Sequence, residues 1–196
     1  MKPFLLLVTL ISLAMAAGPV FGQAPGDIGV FFDTGGTQTT GAVILGVEFD
    51  LYIVAFDIPL GIVSHEGSIE RDPDILLVGH QLFPASSFNV GTPENWIVGT
   101  GGCFPIFGPT VLQTLTYVSF DPVMEDQIFS IGPSTPSSFS PAAPGYLDCG
   151  DNLLPFGLAQ SGNGYYPDGC AVGNPTQTPP VSTQEQRWGD VKALFR

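Results

Sequence analysis

Apolar and polar residues along this chain alternate in short runs, each closed by glycine, proline, asparagine or aspartate. In Ile28-Gly-Val-Phe-Phe-Asp33, the side chains of Ile28, Val30 and Phe32 share one face of an extended segment, and Gly35-Gly36 then turns the chain. The clearest alternation follows. Val47, Phe49, Leu51, Ile53 and Ala55 fall on one side and Glu48, Asp50 and Tyr52 on the other, until Val54 and Phe56 make both faces apolar. A strand buried on both sides belongs near the centre of a sheet. Further strands are predicted over 61–69, 75–82, 95–98, 110–120 and 127–131, with a last short one around 153–158.

Between Gly132 and Pro144 four prolines remove the amides a ladder needs, so this stretch is predicted to be loop. No amphipathic helical pattern precedes residue 182. Many short strands joined by Gly/Pro turns predict an all-β chain, a two-sheet antiparallel β-sandwich occupying residues 23–173.

The two ends differ from this body. Met1-Lys2 precedes an apolar run from Phe4 to Leu13, followed by small residues: residues 1–22 have the form of a signal helix, with cleavage after Ala16 or Gly22. The run is too short to span a bilayer, so no transmembrane segment is expected. After a Pro/Thr linker at 174–181, Ser182 and Glu185 have capping-box spacing, and Trp188, Val191 and Phe195 recur as one apolar stripe. Residues 182–196 are therefore expected to form a short helical, amphipathic recognition tail, in which Arg187, Lys192 and Arg196 supply most of the positive charge left after export.

Charge narrows the partners. The chain carries 18 Asp and Glu against 5 Lys and Arg, and Arg71 is the lone Lys or Arg between Gln23 and Gln186. Such a surface repels nucleic acid and anionic lipid and attracts cations or basic partners, or serves solubility outside the cell; the partner expected is a protein or a polysaccharide. Secretion to the cell envelope or beyond is the expected location.

Catalytic chemistry finds little support. Nucleophilic catalysis needs a base, and His65 and His80 are the two histidines; no Gly-x-Ser-x-Gly elbow accompanies them. Glu66 and Glu70 would lie on one face of a strand, and a carboxylate-dependent glycoside hydrolase is the alternative they offer. A same-strand pair at this spacing more often marks a solvated face. No cofactor is expected, save a structural calcium ion for which Asp72 and Asp74 (with Glu70) and Asp148 and Asp151 (with Asn152) are the oxygen-rich turns. Trp96, Tyr146 and Tyr165-Tyr166 are the aromatic candidates for a carbohydrate platform, with core or loop packing the simpler role. In an oxidising compartment, Cys149 and Cys170 bracket a turn-rich segment and are predicted to pair, leaving Cys103 over.

The order of the strand Ile28-Gly-Val-Phe-Phe-Asp33, the long strand Glu48 to Asp57, and Gly61-Ile-Val-Ser-His-Glu-Gly-Ser-Ile69 with its following hairpin resembles the cohesin-like, carbohydrate-binding-module type of β-sandwich. That resemblance covers roughly residues 27–132 and implies a jelly roll that binds a protein module or a polysaccharide; it assigns no role to any one residue. The blocks Asn95-Trp-Ile-Val-Gly-Thr100, Gly132-Pro-Ser-Thr-Pro-Ser-Ser-Phe139 and Tyr166-Pro-Asp-Gly-Cys-Ala-Val172, with the tail Trp188-Gly-Asp-Val-Lys-Ala-Leu-Phe-Arg196, resemble secreted bacterial proteins of no assigned activity. The expected function is thus a secreted, non-catalytic binding or structural module.

Overall fold

The computed structural model describes residues 23–121, 125–161 and 165–176, and all of its regular structure is β. Eleven strands follow in order: β1 (Asp27–Phe31), β2 (Thr40–Gly41), β3 (Glu48–Glu70), β4 (Ile75–Leu82), β5 (Phe88–Asn89), β6 (Asn95–Ser119), β7 (Gln127–Gly132), β8 (Gly145–Asp148), β9 (Leu153–Pro155), β10 (Gly157–Leu158) and β11 (Cys170–Gly173). The expected signal helix (1–22) and helical tail (182–196) lie outside the described residues.

Two pairs of predicted strands prove to be single ones. The segments expected at 47–56 and 61–69 are halves of β3, and those at 95–98 and 110–120 are halves of β6. The two pair antiparallel from Glu48↔Val118 to Ser68↔Asn95, with register shifts around Phe56, Ile58 and Ile62. Their internal turn residues sit opposite one another. Gly61 has φ +71°, a left-handed conformation, and a Cβ there would lie 2.6 Å from the Phe104 carbonyl oxygen. Asp57, also at positive φ, accepts a 2.6 Å hydrogen bond from the Gly108 amide. Paired in this way, the Pro and Gly residues bend both strands together instead of ending them.

The bend lets each long strand serve two layers. The first half of β3 lies between β1 and the second half of β6, which carries β4 on its other side. The second half of β3 lies between the first half of β6 and the strands β8 and β7; β5 extends this layer beyond β6, β9 beyond β8, and β11 and β2 beyond β7. Side chains from both layers, among them Ile28, Val30, Leu51, Ile53, Trp96, Val98, Leu115 and Phe129, form one closed core. Full burial of such residues contributes about 1.5–3 kcal/mol each.

The doubly apolar part of β3 is explained by a second, smaller cluster. Val54 and Phe56 pack with Phe31 and Ala159 on the opposite face, the Phe31 and Phe56 rings meeting edge to face at 5.7 Å. The sandwich is not wholly antiparallel as expected, because β1 pairs β10 and β2 pairs β11 in parallel. These partners are far apart in sequence, so no tight hairpin dictates their direction.

Candidate functional site

Cross-strand pairing places the residues of one face in rows. Across β5, β6, β3, β8 and β9, the pairings Phe88↔Gly99, Ser64↔Gly99, Ser64↔Leu147 and Leu147↔Leu153 make one row, and Ile97↔Glu66↔Gly145 the next. The alternate residues Trp96, Val98, His65 and Tyr146 point into the core. The outward face therefore presents Phe88, Val90, Ile97 and Leu153, all exposed. The Phe88 ring covers Gly99, whose missing side chain makes room for it. Beside them, Ser64, Glu66, Ile97, Ser138, Leu147 and Leu153 line an open depression of about 210 Å³.

The rim of the depression is the proline-rich loop 133–144, which is pinned onto β3 and β6. Glu66 Oε1 accepts from the Ser138 amide (2.8 Å) and Oε2 from the Ser138 hydroxyl (2.6 Å). Asn95 and Thr135 exchange two 2.8 Å bonds, and the Ser68 hydroxyl donates to the Pro133 carbonyl at 2.8 Å. The Phe139 ring rests where a side chain on Gly145 would be, 2.0 Å from a built Cβ. Glu66 is therefore buried under this loop while Glu70 stays exposed, and the two do not share the solvated face expected of them.

Both histidines have structural surroundings. His65 is buried, its Nδ1 accepting from Trp96 Nε1 at 3.1 Å, and desolvation pushes its pKa down to about 3. His80 lies on β4, where burial lowers its pKa and a hydrogen bond with Gln113 partly opposes this. Arg71 forms a salt bridge with Glu94, lies 5.7 Å from the Tyr117 ring centre, and Tyr117 donates to the same carboxylate at 3.1 Å. Burial, then the Glu94 charge, raises the Tyr117 pKa. The sandwich thus neutralises its lone described Lys or Arg inside a network.

No protein-family model matches the chain, and no curated protein matches it. Among solved structures it resembles the cohesin module of a Clostridium perfringens ATCC13124 family 33 glycoside hydrolase, with TM-score 0.52 and 12% identity over 77% of this chain and 96% of that one. It also resembles the sixth cohesin of Acetivibrio cellulolyticus scaffoldin B, solved in complex with a Cel5 dockerin variant, with TM-score 0.52 and 10% identity over 77% and 99%. The fold is a cohesin-like β-sandwich.

Within this cohesin-like frame, the cysteine expectation needs correction. Cys103 pairs with Cys149, Cα to Cα 5.5 Å, and Cys170 is free and buried. The bend brings Cys103 on β6 beside the turn after β8, where the Cys149 amide donates to the Gly61 carbonyl. Cys170 instead opens β11 against β7, and burial raises its thiol pKa to about 11.

The four candidate calcium ligands fall in two separate turns. Asp72, just past the end of β3, accepts from the Asp74 amide at 2.9 Å. Asp148 stands opposite Ile62, and hydrogen bonds from the Asn152 side chain and amide, then the Gly150 amide, lower its pKa; Asp151 adopts a positive φ in the same turn. The Asp72 and Asp148 carboxylates cap their own turns. Among the described residues no group of three or more His, Cys, Asp or Glu could hold a metal ion.

Of the aromatic candidates, Trp96 and Tyr146 are core residues, Tyr165 is exposed, and Tyr166 bonds the Asp126 carboxylate. Trp188, Val191, Lys192, Phe195 and Arg196 lie outside the described residues. The outward row on β5, β6 and β9 was not singled out in the sequence, although the period-2 pattern of Asn95-Trp-Ile-Val98 places Trp96 and Ile97 on opposite faces.

Proposed function

We propose that the chain is an exported, non-catalytic module that binds a partner protein through the outward face of β5, β6, β3, β8 and β9. One observation carries this reading: Phe88, Val90, Ile97 and Leu153 stand in water on one continuous sheet face beside the depression rimmed by the proline-rich loop. Exposed apolar side chains in contiguity mark interaction sites. The likeness to a cohesin solved with a dockerin supports a protein partner over other classes. Burial of Trp96 and Tyr146 withdraws two of the rings a polysaccharide platform would use.

Export is favoured by the Cys103–Cys149 bridge, since disulfides persist in oxidising compartments, and by the signal-like residues 1–22. On this reading, residues 23–173 are the binding body, 174–181 a linker and 182–196 a tail. A glycoside hydrolase is disfavoured because both Glu66 oxygens are held by Ser138, leaving no carboxyl free to serve as acid or nucleophile there.

The test is affinity capture from culture fluid of the source cells by the immobilised chain, compared with Ile97→Glu and, as a control, Phe107→Glu at the remote strand bend. The reading expects a protein retained by the wild type and the control and lost from Ile97→Glu. Equal retention by all three, or release of reducing sugar from polysaccharide by the chain, would reject it.

A further inference from the structure

A second apolar patch lies at the end of the sandwich from which the chain departs. Ile44 (62% exposed), Leu45, Val47 and Phe120 (56%) are all in water. Hydrogen bonds tie their segments together: Val47 N donates to the Ile44 carbonyl, Gly46 N to the Ser119 carbonyl, and Phe120 N to the Asp74 carbonyl. The last described residues are fastened to the same place. Asn174 accepts from the Val43 amide (2.9 Å) and donates to its carbonyl (2.7 Å), and the Thr176 amide donates to Asp126 at 2.8 Å. Exposed Glu48, Asp74 and Glu125 surround this end.

The sequence beyond Thr176 complements it. Trp188, Val191 and Phe195 are large and apolar, and Arg187, Lys192 and Arg196 are three of the four Lys or Arg between Gln23 and Arg196, whereas 16 of the 18 acidic residues precede Thr176. Trp188 is the twelfth residue after Thr176, a reach of up to about 40 Å, more than enough to return to a patch that begins beside Asn174. A tethered segment meets such a patch at an effective concentration on the order of millimolar, so even weak affinity fills it.

We infer that the chain's own C-terminal segment docks on the Ile44, Leu45, Val47 and Phe120 patch, its apolar residues against theirs and its cations against Glu48, Asp74 and Glu125. The site is distinct from the partner-binding face on β5, β6, β3, β8 and β9. The docking covers the apolar end of the body and fixes where the tail leaves it.

Trp188 provides the readout, because the other tryptophan, Trp96, is fully buried and gives a constant background that the Trp188→Phe variant measures. In the full chain at low salt, Trp188 emission should be blue-shifted and several-fold less quenched by acrylamide than in unfolded chain. Ile44→Asp with Val47→Asp, and separately Phe120→Glu, should restore full quenching with unchanged circular dichroism; these side chains are exposed, so folding does not depend on them. High salt should weaken the protection through screening, and dilution should leave it unchanged. A Trp188 quenched as freely as in unfolded chain, or protected equally in the patch variants, overturns the inference. Protection lost on dilution assigns the tail to a second copy and overturns it too.

Discussion

Trp96 Nε1 donates to His65 Nδ1 at 3.1 Å between the second half of β3 and the first half of β6, and the other imidazole nitrogen, Nε2, is buried with no hydrogen-bond partner among the described residues. Because Nδ1 accepts, the ring is neutral with its proton on Nε2, an assignment that follows from the Trp96 donor. A charged imidazole here would lose hydration and gain no acceptor, which is why desolvation pushes the pKa to about 3.

Stability should therefore fall in acid before the carboxylates titrate. The folded His65 pKa lies below the unfolded value of about 6.5, so the unfolded chain binds more protons and stability drops as pH falls through 6.5 toward 3. The slope from this group approaches about 1.4 kcal/mol per pH unit. His65→Asn keeps an acceptor near Trp96 and removes the titration. Melting temperatures from pH 7.5 to 5 should show a shallower fall in the variant; His80, also depressed, is present in both and cancels.

The Cys103–Cys149 bridge closes a separation of 46 residues, and loss of unfolded-chain entropy gives it about 4 kcal/mol. Cys103→Ser with Cys149→Ser should lower urea stability on that scale, while Cys170→Ala should change it far less. Peptide mapping should recover Cys103 linked to Cys149, with Cys170 alkylated only after unfolding.

Glu66 anchors the loop at 133–144 through hydrogen bonds from Ser138. Glu66→Gln replaces an acceptor oxygen with a donor facing the Ser138 donors, and should cost about 1–3 kcal/mol, with faster proteolysis within the loop. Unchanged stability and protease resistance would show that the Asn95–Thr135 and Ser68–Pro133 bonds hold the loop without Glu66.

Much of the fold was legible because period-2 patterning is local. Leu51, Ile53 and Ala55 are in the core as their alternation required, and Val54 with Phe56 marked a strand buried on both faces. What was not legible depended on partners distant in sequence. Gly61 and Gly108 read as strand ends, yet Gly61 lies against Phe104 and Pro105, and Gly108 bonds Asp57, so the pair continues through its register shifts. Glu66 read as solvated because its cover, Ser138, comes 72 residues later. The cysteines were misassigned for the same reason: Cys103 is remote in sequence and becomes Cys149's neighbour only after the bend forms.

The most direct test of the binding reading is site-specific photocrosslinking of the captured partner, with p-benzoylphenylalanine placed at Phe88 on the proposed face or at Phe107 on the strand bend. Phe107 is the more exposed, at 78% against 60%, so indiscriminate hydrophobic contact would favour it. The account predicts a partner adduct from position 88 and none from 107. An adduct from 107 alone, or binding that yields none from 88, would contradict it.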